Sequence, residues 1–249
     1  MPLKSVVLIS GGADSLYCAL RELRETDNEV HLHRHKYQFG YAEYQHSRMQ
    51  SIASMASDRL DNYILPWLRD NERPFSYSVS SSDFSELPEG SMQIGNKSHL
   101  SYVGGYVCTA LGAGRLITGH QMMTPSNGPR NHPRMMSLFL GSFDEGRSVL
   151  PKDVEWYFPC WNYDLDKGRG KKEICDYIGP LVDLTNSCLN PKKSDDGVWE
   201  QCGNRWPIQH YKDGVKTSAI RCWQCDESQD TLGTVKQIYS FSTGVLLLQ

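Results

Sequence analysis

With 26 Lys and Arg against 29 Asp and Glu in 249 residues, the chain carries a net charge of only −3. That balance speaks against a dedicated duplex-binding surface, which needs a strongly basic face. No stretch reaches the roughly 18–20 apolar residues of a membrane span, and the N-terminus lacks the basic-then-apolar plan of a signal peptide. A cytosolic setting is therefore expected, and the 8 cysteines read first as thiols or metal ligands rather than disulfides.

The apolar run Val6-Val7-Leu8-Ile9 predicts a buried parallel strand, and Ser15–Arg24 the crossover helix after it. Between them stands Ser10-Gly11-Gly12-Ala13-Asp14-Ser15. Two adjacent glycines let the backbone turn tightly and approach a ligand, and the Ser10 and Ser15 hydroxyls and free helix-start amides then face an anion such as a phosphate. The loop is not a Walker A element, since no Gly-x-x-x-x-Gly-Lys-Ser/Thr is present. Glu29–His33 alternates as a short second strand with His31, His33 and His35 on one face. Without an acidic or cysteine partner these read as strand residues near a cleft rather than as a metal site.

Glu43–Asp61 has the spacing of an amphipathic helix through Met49, Ile52, Met55 and Leu60, ending before Pro66. A third strand is expected near Phe75–Val79, followed by a polar loop opening at Ser80 and reaching about Ser98. His99–Leu111 then forms a helix closed by Gly112 and Gly114, and Arg115–Gly119 a fourth strand ending in glycine. Strands alternating with helices predict an α/β, doubly wound, mostly parallel sheet, whose ligands bind beyond the carboxyl ends of the strands. Ser10-Gly11-Gly12 and Gly119 both fall at such ends.

The C-terminal quarter loses periodicity. Cys188, Cys202, Cys222 and Cys225 could supply four thiolates to a closed, structural zinc site, the last two from one Cys-x-x-Cys turn. His210 could replace Cys202, and a redox dithiol at Cys222 and Cys225 is the competing reading. Cys18, Cys108, Cys160 and Cys175 sit among apolar neighbours or on a helix and read as small core residues. The expected organisation is a nucleotide-binding domain over residues 1–180 and a zinc-stabilised C-terminal region over 181–249 packed on it.

The loop itself resembles the pyrophosphatase loop, Ser-Gly-Gly-x-Asp-Ser, of enzymes that split ATP between the α and β phosphates. Together with the glycine-terminated strand, the late cysteines and the segment Gly179-Pro180-Leu181-Val182-Asp183-Leu184-Thr185-Asn186-Ser187-Cys188, it resembles the 7-cyano-7-deazaguanine synthase family of queuosine-type deazaguanine biosynthesis. The resemblance implies an adenine nucleotide α-hydrolase-like fold and an AMP-forming carbon–nitrogen ligase. ATP would adenylate 7-carboxy-7-deazaguanine, ammonia would displace AMP to give an amide, and a second ATP would drive dehydration to the nitrile. It places Ser10, Gly11, Gly12, Ala13, Asp14 and Ser15 at the phosphates, with Asp14 near Mg²⁺, and Gly119 at the border of the nucleotide. It gives Lys172 a part in neutralising the departing pyrophosphate, with a plain surface lysine of the helix as the equal alternative, and Zn²⁺ a structural role on Cys188, Cys222 and Cys225.

Three segments depart from that family's pattern: Tyr37-Gln38-Phe39-Gly40-Tyr41-Ala42, Ile94-Gly95-Asn96-Lys97-Ser98 and Asn127–Arg134. They fall where substrate and nucleophile are expected to be read, and lost contacts of that kind mean a changed acceptor or substrate. Relatives in antiviral defence gene sets, where an activated deazaguanine is joined to a protein amine, fit the altered segments. A non-catalytic zinc-containing binding module is the reading from another class. Other loop-bearing enzymes, tRNA thiolases or sulfate-activating reductases, come third; a thiolase needs a catalytic cysteine near the cleft, for which Cys160 is a loose candidate. The partners implied are a small deazaguanine carboxylate with ammonia or a protein amine, and nothing in the composition excludes a homodimer.

Overall fold

The computed structural model describes residues 2–39, 44–84, 96–119, 150–160, 169–186, 191–200, 208–212, 215–220, 239–242 and 245–248. Its centre is a five-stranded sheet in the order β3-β2-β1-β4-β5, built from β1 (Lys4–Leu8), β2 (Glu29–Phe39), β3 (Ser76–Phe84), β4 (Arg115–Ile117) and β5 (Glu155–Tyr157). Every neighbouring pair runs parallel. The chain moves outward in one direction from β1 to β3, then returns to the other side of β1 for β4 and β5. The β1–β4 boundary is therefore the topological switch point of a doubly wound α/β sheet, where such folds open a ligand crevice.

The helices are α1 (Ala13–Glu25), α2 (Tyr44–Arg59), α3 (Leu65–Asn71), α4 (Asn96–Leu111) and α5 (Arg169–Ile178). One apolar layer joins Val7, Ile9, Val30 and Leu32 of the sheet to Leu16 and Leu20 of α1 and to Ile174 and Ile178 of α5. The opposite face packs Val6, Leu8 and Leu116 with Cys108, Leu150 and Trp156. Alternating strand residues thus feed two layers, as period-two patterning requires of a sheet covered on both faces. Cys18, Cys108, Cys160 and Cys175 are all buried, in accord with their apolar settings.

Two expectations are corrected. Pro66 does not follow the end of a helix: α2 continues through a π-helical turn, Leu60–Ile64, into α3, and Pro66 sits in the first turn of α3. There its missing N–H and fixed φ are tolerated. The polar run after Val79 is strand rather than loop, and β2 likewise extends to Phe39, with register from His31↔Ser76 to Phe39↔Phe84. Serines at alternate positions of β3 stay in the sheet because histidines of β2 bond to them, an interaction that strand propensity does not contain.

Past α5 the chain forms a 3-10 segment, Gly179–Leu184, whose Leu181 and Val182 enter the α1 layer. Among the described residues beyond it lie three antiparallel pairs: β6 (Lys192–Lys193) with β7 (Trp199–Glu200), β8 (Ile208–Lys212) with β9 (Val215–Ile220), and β10 (Tyr239–Ser242) with β11 (Val245–Leu248). Among the described residues no helix is long and apolar enough to cross a membrane.

Candidate nucleotide site

At the carboxyl end of β1 the chain turns through Ser10-Gly11-Gly12 directly into α1. Gly12 is the helix N-cap, and no side chain caps the first turn. The first amides of a helix have no intrahelical acceptor, and together with the positive end of the macrodipole they favour an anion. Hydroxyl chemistry holds the turn in shape: Ser15 Oγ accepts from the Ser10 N–H at 3.1 Å and donates to the Gly12 carbonyl at 2.9 Å, with Ser10 Oγ 3.2 Å away. Ser15 is buried and engaged within the loop, whereas Ser10 is exposed and Asp14 half-buried.

The glycines answer to close backbone approach. Gly11 has φ +86, and a Cβ there would lie 2.3 Å from the Ala56 carbonyl oxygen of α2. Gly119, just past β4, faces the start of α1 so closely that a Cβ would meet Asp14 C and Ser15 N at 2.9 Å. The two glycine-terminated strand ends expected to line one cleft do stand side by side, since β1 pairs β4 through Ser5↔Arg115 to Val7↔Ile117.

Further contacts seat the loop without any warning from its own residues. The Asn186 N–H donates to the Gly11 carbonyl at 2.8 Å, and Asn186 Nδ2 reaches Ile52 O on α2 at 3.4 Å. The Cys160 thiol donates to the Asp14 carbonyl at 3.6 Å and lies 3.7 Å from Cys18 Sγ. Cys160 is thus buried behind the start of α1 rather than open to the cleft. On β2, Arg34 is held by Asp61 Oδ2 at 2.6 Å and by Ser57 Oγ, which fastens α2 beside the loop. Asn186 is visible in the sequence only as part of the Leu-Thr-Asn-Ser-Cys segment; the roles of Ala56 and Ser57 have no local sequence signal.

Lys172 lies in α5, which packs against α1, and His210 lies in β8. Cys188, Cys202, Cys222 and Cys225 fall outside the described residues, as do residues 127–134 and parts of the other two family-divergent segments, 40–42 and 94–95; the remainder of those segments, 37–39 and 96–98, lies in β2 and at the start of α4. Among the described residues no group of three or more His, Cys, Asp or Glu could hold a metal. The three β2 histidines are instead bonded to serines: His31 to Ser76 and Ser78, His33 to Ser78 and Ser80, and His35 to Ser80.

No sequence profile of a known protein family matches the chain, and no curated protein does. Among solved structures the chain is similar to the U34-tRNA thiolase NcsA from Methanococcus maripaludis with its 4Fe-4S cluster, at 15% identity and a TM-score of 0.43. The likeness covers 71% of this chain and 56% of that one, so the chain spans little more than half of that enzyme's length. The class defined above, a doubly wound parallel α/β sheet with a glycine loop at its switch point, stands on strand order and loop geometry alone.

Two outcomes follow from this geometry. Gly11→Ala must relieve both a left-handed φ and a backbone collision, so it is expected to lower stability by about 1–3 kcal/mol in urea unfolding; an unchanged midpoint contradicts the close approach. Burial, reinforced by repulsion from His31 and then His35, pulls the His33 pKa down to about 4. Between that value and the unfolded one of about 6.5, the unfolded chain binds more protons, so stability is lost as pH falls. The urea midpoint is expected to drop between about pH 7.5 and pH 5, with this group contributing about 2 kcal/mol. His33→Gln should remove that part of the slope, and an undiminished slope contradicts the assignment.

Proposed function

We propose that the chain is an ATP-using, AMP-forming enzyme that activates a carboxylate, and that its acid is 7-carboxy-7-deazaguanine. The observation that carries the nucleotide part is the uncapped start of α1, opening from a Gly-Gly turn at the switch point with the Gly119 backbone packed against it. Amides at the loop and helix start would hold the phosphates, with Ser10 exposed beside them. Asp14, a half-buried carboxylate in the first turn, fits one position of a Mg²⁺ ion, which otherwise takes water and phosphate oxygens. Mg²⁺ held there would supply charge neutralisation on the departing pyrophosphate. The chain's own contribution is preorganised amide dipoles aimed at the same developing charge, with Lys172 a further cation from the helix beside α1.

The deazaguanine part rests on the resemblance of the loop and of residues 179–188 to the synthase family. The attacking nitrogen belongs to ammonia or to a protein amine, and the product is an amide, a nitrile or a protein conjugate accordingly. The four late cysteines, if brought together, would make a donor set suited to one structural Zn²⁺. Asn186, two residues before Cys188, bonds to Gly11, so a zinc-fixed tail would also steady the phosphate loop.

Purified protein with ATP, Mg²⁺ and 7-carboxy-7-deazaguanine is expected to release AMP and pyrophosphate only when the acid is present. Dependence on ammonia then names the nucleophile. Asp14→Ala should cut AMP release by about 100-fold or more while leaving the circular-dichroism spectrum intact; normal turnover by that variant overturns the loop assignment. AMP release with no dependence on the deazaguanine retains the nucleotide reading and removes the substrate. Metal analysis is expected to find one zinc per chain, lost in Cys222→Ser along with some stability of the tail; a metal-free wild-type protein contradicts the zinc reading.

A further inference from the structure

The β2–β3 seam carries a feature that nucleotide binding does not use. His31 Nδ1 lies 2.7 Å from Ser76 Oγ and its Nε2 lies 2.7 Å from Ser78 Oγ. His33 Nδ1 lies 2.7 Å from the same Ser78 Oγ, and its Nε2 lies 2.8 Å from Ser80 Oγ. His35 Nδ1 continues the series, 2.7 Å from Ser80 Oγ. Same-face strand positions repeat roughly every 6.6 Å, a span that one imidazole and its two hydrogen bonds cover. Parallel register, His31↔Ser76 through His35↔Ser80, therefore yields one unbroken chain of alternating hydroxyls and rings. The His31 and His33 rings are stacked, with centroids 6.4 Å apart.

We propose that this ladder is a proton relay between solvent at the amino end of the strands and the carboxyl end of the sheet beside the glycine loop. Its ends support that direction. Ser76 is exposed, whereas His31 and His33 are buried. His35 lies beyond Leu8↔His33, the last β1–β2 pair, where the Ile9 N–H bonds to the His33 carbonyl and β1 turns into Ser10.

Donor arithmetic makes the chain directional. A neutral imidazole has one N–H and one lone pair, and a hydroxyl has one proton to give. If His31 carries its proton on Nε2, it donates to Ser78, Ser78 donates to His33 Nδ1, and His33 must then carry its proton on Nε2. The same rule fixes His35 through Ser80, so all three rings share one tautomer. Burial keeps His31 and His33 neutral, holding both below the ordinary histidine range, and Lys4 lowers His31 further against an opposing pull from Glu29. A cationic ring would donate from both nitrogens and break the series.

The transfer balances. Ser76 takes a proton from water and gives its own to His31 Nδ1. The His31 Nε2–H bond breaks as its proton passes to Ser78, which gives its own to His33 Nδ1, and so on until a proton leaves His35 Nε2 for water at the carboxyl end of the strands. One proton enters, one leaves, no charge remains and every tautomer is reversed. A second passage in the same direction requires the reverse shift first, so the relay delivers a proton in one half-cycle and takes one back in the other.

The relay does not depend on the nucleotide reading, and its test needs no turnover. Nitrogen-15 spectra of histidine-labelled full-length protein near neutral pH are expected to show His31, His33 and His35 in one common neutral tautomer. They should also show His33 N–H exchanging with water quickly despite its 2% exposure. In Ser78→Ala/Ser80→Ala the path to both ends is cut, and His33 exchange is expected to slow roughly tenfold or more. Ser78→Thr/Ser80→Thr, which keeps both hydroxyls, should restore it. A ladder that only braces the strands gives the opposite sign, because losing the bonds loosens the seam and speeds exchange. Opposed tautomers in the wild type, or exchange unchanged or faster in the alanine variant, overturns the relay. Each single alanine variant serves if the double variant does not fold, with exchange expected to fall part of the way. Loss of AMP release with an intact exchange pattern counts against the nucleotide reading alone.

Discussion

The close approach of backbone at Gly11 is the constraint on which the rest of the site depends. Its left-handed φ turns the chain out of β1, and the missing Cβ lets the Ala56 carbonyl of α2 occupy the space behind it. The same residue's carbonyl receives the Asn186 N–H. Three segments distant in sequence (the end of β1, the last turns of α2 and the run after the 3-10 segment) are therefore fixed to one another at a single residue without a side chain. Gly119 repeats the device on the other side, where the end of β4 abuts the start of α1. An open helix N-terminus at a switch point is what remains when both flanks are closed by backbone.

How much of this is legible in the sequence depends on whether a feature is local. The strand–loop–helix unit at the N-terminus is legible because apolar run, glycines and helix follow one another without interruption. The pairing of the Gly12 and Gly119 ends is legible through chain order, since alternating strands and helices imply a parallel sheet with a reversal. Ala56 and Asn186 are not legible as site neighbours, because their parts are played by backbone atoms, which leave no residue signature; Cys160 is legible only as a loose candidate near the cleft, and its burial behind Asp14 is not. Pro66 misleads for a related reason: a proline inside a helical pattern signals an end unless a π-turn resets the phase before it, and no rule of spacing forecasts that turn.

The histidine–serine seam is the instructive intermediate case. Alternation of His31, His33 and His35 places them on one face of a strand, and Ser76, Ser78 and Ser80 alternate in the same way. What sequence alone leaves out is that β2 and β3 are neighbours in a register that sets each ring between two hydroxyls. Read one strand at a time, the serines look like the opening of a loop. Read as a pair, they satisfy every buried ring nitrogen that the structure places between them, which polar groups in a sheet interior require. The seam lengthens β2 and β3 past the last residue of β1.

The proposed phosphate site of ATP is the Gly-Gly turn closed by Gly119. The most direct measurement is equilibrium binding of ATP with Mg²⁺ to the wild-type chain and to Gly119→Val, with inorganic pyrophosphate as competitor. One ATP per chain, displaced by pyrophosphate and lost in Gly119→Val while the thermal unfolding transition stays cooperative, is the predicted result. No binding by the wild type would contradict that site, and binding that Gly119→Val leaves untouched would place the phosphates elsewhere.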